Sequence, residues 1–411
     1  MNRRFFLFGL ASSAVVRAAA RPPRITKLIF TPVQGRFHKF VAMNSYDTAP
    51  KGHTYTNTLV RIQTDQGVEG VGVMEYALPD EAFYGAVKSL LGANPLEIYQ
   101  RNNGFITGRA TPHEDLLRKY KHLDGPLFDL IGKLENVPCW RLIGESVREK
   151  CEVYDGTLYF SDVWFPGRGV EAVVEEVVEA QRKGYLGVKL KVGRGWKWMP
   201  PEEGLARDIA VLKAVRKAVG PQLKIKADAN NGFRNDAERG WRLLAETRDV
   251  KLTFIEELFP ESVEAYKGLR ARLKKEGIDL PIADGENLQE AGQFTPYLQP
   301  ERLMDVVQLD VRRGGFVENI QLANMAGAAG AISLPHNWGS QAGGLMGLHM
   351  AKATKSVTGA EDDRSTCDAI IAEGYEFKNG FYTVSNEPGL GIRVNEPVYR
   401  EKYLAHETIL R

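Results

Sequence analysis

From about residue 150 onward, short apolar runs and longer amphipathic stretches take turns along the chain. The runs KCEVYDGTLY, GVKLKVG, LKIKADA, LTFIEEL, LPIADGE, DVVQLDV and AISLPHN are short enough to be strands. Between them, GVEAVVEEVVEAQRKG, GLARDIAVLKAVRKAVG and VENIQLANMAGAAG carry apolar residues at helical spacing and close on glycine. Alternation of strand and helix requires a parallel sheet. Seven such units, with a weaker eighth strand near residues 366–371, predict an α/β fold of the closed (β/α) barrel type over 149–375, and no GxGxxG follows any strand. Residues 26–148 read differently. ITKLIFTPV and NTLVRIQTD are predicted strands, while PDEAFYGAVKSLL and GPLFDLIGKLENVPCWRLIG are predicted helices, giving an α+β lobe. Residues 34–54, between its first two strands, show little periodicity and are predicted to form a long polar loop.

Two positions break the apolar rule within LGVKLKVG. Lys189 and Lys191 share one face of that strand, opposite Val188, Leu190 and Val192. With Leu190 against the helices, both ammonium groups face the barrel axis. The C-terminal ends of barrel strands carry the chemistry, so the charged residues there are the candidates. They are Lys189 and Lys191, then Asp228, Glu256, Glu286, Asp310, His336 and Asp368.

Asp228, Glu256 and Glu286 end three successive strands. Unpaired in one pocket they would raise one another's pKa, and a divalent cation removes that conflict. Oxygen ligands without His or Cys favour Mg2+ or Mn2+. Asp310 beside His336 is a base with its orienting carboxylate. Lys191 stands across the mouth, and Lys189 together with burial is expected to depress its pKa towards neutrality. A cation flanked by two such groups suits removal of the proton α to a carboxylate, with the enediolate stabilised electrostatically.

Composition narrows the partner. The chain has 411 residues with 54 basic against 52 acidic, a net charge of +2, and so lacks the electrostatic footprint of a nucleic-acid binder. A small molecule is the expected partner. Cys139, Cys151 and Cys367 are too few for a disulfide framework and are expected as buried filler. MNRRFFLFGLASSAVVRAAA, residues 1–20, reads as a twin-arginine-like export signal leading to the periplasm, too short in its apolar part to be a permanent membrane anchor.

In order and spacing, VKLKVG, DANNGF, FIEEL, GEN, QLDVRRGG and SLPHNWG resemble the signature segments of the enolase superfamily, in its mandelate racemase and muconate lactonizing enzyme branch. The resemblance covers nearly the whole chain after residue 20. It implies a modified barrel under a capping domain built from residues 26–148 and from a C-terminal segment, 376–411, that returns to it. It also implies that Asp228, Glu256 and Glu286 hold Mg2+, that Lys191 and the His336–Asp310 pair carry protons with Lys189 assisting, and that Asn230 reaches the substrate. Loop 34–54 becomes a specificity lid in which His38, Lys39 and His53 contact the distal end of the substrate. Three positions keep alternatives: Glu257 for Glu256, Asp284 for Glu286, and Glu373 for Asp368 as the eighth-strand acid. Dehydration of a sugar acid is the expected reaction, by analogy, in a symmetric homo-oligomer. Racemisation or epimerisation of a 2-hydroxy acid on the same site, a Schiff-base aldolase acting through Lys191, and a barrel that binds without turnover are the other readings.

Overall fold

A computed structural model describes residues 21–75 and 79–411. The export-signal reading of residues 1–20 lies outside the described residues. The chain opens with an antiparallel meander of β1 (Ile25–Val41), β2 (Gly52–Thr64) and β3 (Glu69–Glu75). Along β1, Val33, Gly35 and Phe37 are buried while Gln34, Arg36 and His38 are more exposed, the period of two expected of a strand with one wet face. Most of the expected loop 34–54 is therefore hairpin, and only residues 42–51 form the turn. The helix Asp124–Glu135 packs on β3 so closely that a Cβ on Gly70 would stand 2.3 Å from the Pro126 carbonyl oxygen. Buried Asp129 accepts from the backbone N–H of Val71 and of Leu390, each at 2.7 Å, and so joins β3 to the C-terminal segment. A small hairpin, β4 (Tyr99–Asn102) and β5 (Phe105–Arg109), completes this lobe.

Eight parallel strands follow: β6 (Lys150–Leu158), β7 (Gly187–Lys191), β8 (Lys224–Asp228), β9 (Phe254–Glu256), β10 (Ile282–Asp284), β11 (Val306–Val307), β12 (Ile332–Ser333) and β13 (Gly359–Asp362). β13 pairs in parallel with β6, and a Ser333–Val357 bridge ties β12 to the approach of β13, which closes the barrel. Val188 and Leu190 are fully buried against the helical layer, leaving Lys189 and Lys191 to the interior. The eighth strand thus lies before the expected 366–371. Residues 365–367 form β14, which pairs antiparallel with Gly35–Phe37 of β1 and belongs to the cap. Beyond it, β15 (Ile370–Ala372) pairs with β18 (Ile392–Val394), and the hairpin of β16 (Glu376–Lys378) and β17 (Phe381–Thr383) adds to β6. β19 (Thr408–Leu410) returns to β1. The three cysteines are free and buried. No described helix is long and apolar enough to cross a membrane.

Candidate active site

Register places the charged strand ends in one layer. Lys191 on β7 pairs with Asp228 on β8, and Asp228 pairs with Glu256 on β9. In a parallel sheet, paired residues point to the same side, so all three face the mouth. Lys191 donates to Asp228 and sits 5.1 Å from the centre of the Tyr159 ring. Lys189, one layer deeper and fully buried, lies 2.9 Å from Glu361, 3.0 Å from Glu256 and 3.3 Å from Asp228. It is the cationic floor beneath three carboxylates.

The acids whose oxygens converge within 4.8 Å are Asp228, Glu257 and Glu286. The expected set had Glu256, with Glu257 as its alternative, and the two carboxylates are held differently. Glu256 is drawn inward by Lys189 and by Gln308, which donates at 3.1 Å. Glu257 follows with φ 47°, a left-handed conformation that is strained for glutamate. Its carboxylate accepts from Tyr46 at 2.6 Å, Asn287 at 2.6 Å and Asn230 at 2.8 Å. Glu286 comes round because Gly285 takes φ 116°, in a space where a Cβ would strike the Phe294 ring at 2.2 Å. Asp284, the alternative to Glu286, points away from the mouth and accepts from Tyr266.

This cluster fits a divalent cation. All three acids are buried, and burial with Glu286 as the next influence raises the Glu257 carboxyl well above the usual range. Burial, then Asp228, pushes Glu256 up to about 7. The Oδ1 of Asn230 is buried without a hydrogen-bond donor, and the Oε2 of Glu286 makes no hydrogen bond and has only the His336 ring beside it. Acceptor-only oxygens crowded in a poorly hydrated space are the donor set that hard cations take.

On the far wall, His336 Nδ1 lies 2.8 Å from Asp310 Oδ2, and Nε2 lies 3.0 Å from Glu286. Asp310 is itself fixed as the N-cap of the helix Val311–Ala328, accepting from the backbone N–H of Arg312 at 2.8 Å, and Arg312 also pairs with it through the guanidinium. Burial draws the His336 imidazolium down, but Glu286 and the Asp310 hydrogen bond outweigh it and leave a pKa of about 9. Lys191 shows a similar contest with an outcome opposite to the expected one. Burial lowers its pKa and Lys189 adds to that, yet Asp228 and other nearby acids raise it above the ordinary value.

The remaining expectations fare unevenly. Asp368 stands in the cap beyond β14, half exposed, and accepts from Lys402 and Tyr403 at 2.7 Å each. Its competitor Glu373 pairs with Arg393 at the surface. The eighth-strand acid at the mouth is Glu361, 2.9 Å from Lys189 and 3.9 Å from His336. Of the lid residues, Lys39 is tied to Glu176 at 2.5 Å, exposed His53 packs edge-on against Phe40, and His38 is exposed on β1. None of the three contacts the acid cluster, whereas Tyr46 in the intervening turn does. Next to Lys191 the wall is aromatic rather than polar: Tyr159 packs on Trp338 at 4.7 Å, and Trp338 stacks on Phe37 at 4.9 Å.

The geometry sets two proton-bearing groups, Lys191 and the His336–Asp310 pair, on two sides of an acid cluster fit for a divalent cation at the mouth of a barrel. Residues 172–398 match the family described as enolase C-terminal domain-like. The arabinonate dehydratase of Saccharolobus solfataricus is 32% identical over 68% of this chain and 70% of its own length. An N-succinyl-L-Arg/Lys racemase of Bacillus cereus is 24% identical, covering 88% of this chain and 92% of its own. Among solved structures, a mutant of galacturonate dehydratase from Geobacillus sp., complexed with Mg, superposes with a TM-score of 0.81 at 26% identity, covering 94% of this chain and 97% of that one. Galacturonate dehydratase from the same source with D-galacturonate and 5-keto-4-deoxy-D-galacturonate gives 0.79 at 27%, covering 92% and 96%. The chain belongs to the enolase superfamily, in its mandelate racemase and muconate lactonizing branch.

Proposed function

We propose that the protein dehydrates a sugar acid bearing hydroxyls on the α and β carbons. The observation that carries this is the placement of two proton-carrying groups on different members of one acid cluster, Lys191 on Asp228 and His336 on Glu286. Lys191 takes the α-proton as the free amine, a form that a cation on Asp228 would favour by offsetting the carboxylate that holds its pKa up. His336, oriented by Asp310, gives a proton to the departing β-hydroxyl, which leaves as water. The resulting enol tautomerises to a 2-keto-3-deoxy acid. Each such proton transfer contributes roughly 10²–10⁴-fold to rate.

Asp228 and Glu286 would hold Mg2+, or Mn2+, with one of the adjacent pair Glu256 and Glu257. Glu257 has the convergent oxygens and Glu256 the register. A cation there would supply positive charge against the substrate carboxylate. Dehydratase relatives and a neighbour carrying a sugar acid and its deoxyketo derivative support the substrate class. The aromatic wall of Tyr159 and Trp338 would receive the C–H face of a sugar chain.

Racemisation uses the same two flanks, and the racemase relative supports it as a second reading. A panel of sugar acids with Mg2+ in heavy water separates the two. Loss of water with formation of a keto acid is the expected result. Deuterium at the α carbon with no loss of water would replace dehydration with racemisation or epimerisation.

A further inference from the structure

The opposite end of the barrel holds a second chamber. A cavity of about 540 Å³ is lined by Thr253, Pro281, Asp305, Gly330 and Thr358, residues at or just before the starts of five strands, and so lies at the N-terminal face, away from the catalytic mouth. Its inner wall includes Lys226 and Tyr154. Lys226 is 4% exposed, yet among the described residues no acid or carbonyl accepts from its ammonium group. Its Nζ rests 4.3 Å from the centre of the Tyr154 ring and 5.8 Å from that of Phe254. The hydroxyl of Tyr154 is also buried without a hydrogen-bond partner.

Buried ammonium groups and phenols are normally matched by acceptors. Here the Tyr154 hydroxyl is left without an acceptor while the Lys226 ammonium rests on its ring, and the walls around them, Phe254, Val306 and Leu334, form a small apolar cluster. Aromatic faces ease the burial of the cation but offer no lone pair. Glu152, Asp279 and Asp305 also line the chamber, but no hydrogen bond joins them to Lys226 or Tyr154, and an anionic acceptor on an apolar body would fit the space between.

We propose that this chamber binds a small monocarboxylate, its carboxylate against Lys226 and Tyr154 and its hydrocarbon among Phe254, Val306 and Leu334. Its polar rim, where Lys224 pairs with Glu152 and Arg302 with Asp305, surrounds the entry. The site is separate from the mouth and does not depend on the reaction assigned there.

Isothermal titration of the Mg2+-loaded full chain with benzoate and with hexanoate tests it. Saturable binding is expected, at least about tenfold tighter than for benzyl alcohol or hexanol, which lack the charge. Lys226→Met should remove that binding and leave Mg2+ affinity unchanged, while Lys191→Ala at the mouth should leave the carboxylate bound. Tyr154→Phe, which keeps the ring volume, should weaken binding several-fold and serves alone if Lys226→Met does not fold. No saturable binding below about 10 mM would overturn the proposal. So would binding that survives both Lys226→Met and Tyr154→Phe, or that is lost in Lys191→Ala.

Discussion

Asp228 and Lys226 lie two residues apart on β8 and face the same barrel interior, yet their surroundings are opposite. At the mouth, Asp228 is answered by two cations, Lys189 and Lys191, and Lys189 in turn meets two further acids. Toward the floor, Lys226 meets two aromatic rings and an apolar cluster. The difference shows what each charge contributes to folding. A buried ion supports the fold only when its partner is present, and removing one member of a satisfied set costs more than deleting an ion that has none.

The largest effect should come at the mouth. Lys191→Ala and His336→Asn should each lower turnover by about 10³-fold or more, with the fold retained by circular dichroism. Unchanged turnover in either would remove that residue from the mechanism. Chelation of Mg2+ should stop turnover, and readdition should restore it.

The comparison between the two lysines is sharpened by stability. Lys189→Met should cost about 3–5 kcal/mol in urea unfolding, because three acids lose their common cation, whereas Lys226→Met should be neutral or stabilising. Equal losses would mean that Lys226 has a partner in solution.

The consecutive glutamates come next. Calorimetric titration with Mg2+ should show about 100-fold weaker binding in whichever of Glu256→Gln and Glu257→Gln removes a ligand, and about tenfold weaker binding in the other. Equal, small effects in both would shift the cation away from β9.

His336 offers a pH signature. Its ring resonances should titrate near 9 in Mg2+-free protein and at lower pH when Mg2+ is added, since much of the upward shift comes from Glu286. A raised histidine pKa stabilises the fold fully below the unfolded value of about 6.5, and that contribution is lost as pH rises through about 9. A midpoint near 6.5 without Mg2+ would contradict the contact with Glu286. The smallest effect belongs to Asp368→Ala, which should change stability by less than about 0.5 kcal/mol and leave turnover intact.

Much of the mouth was legible because a parallel barrel gathers the ends of its strands, so spacing alone brought Lys191, Asp228, Glu286, Asp310 and His336 together. Glu361 escaped because GAED shows no apolar alternation, while the later STC looked more like a strand and in fact pairs with the cap. That Glu257 also turns its carboxylate toward Asp228 and Glu286 goes with a left-handed φ, which no side-chain pattern announces. Tyr46 reaches Glu257 across 211 residues of sequence, and a turn carries no periodic signal of such a reach. The β1–β2 hairpin was obscured by the weak periodicity and polar side chains of residues 34–54, although β1 runs on to Val41.

The pairing of Leu28–Phe30 with Thr408–Leu410 sets an order of events for the newborn chain. The stretch Leu28–Phe30 has β2 on one side as soon as that strand is made, but its other side is covered only once residues 408–410 follow the eight barrel strands. Until then, the cap keeps an open edge along β1. Clipping the C-terminal strand, or fusing a bulky partner there, would leave that edge exposed in the finished protein.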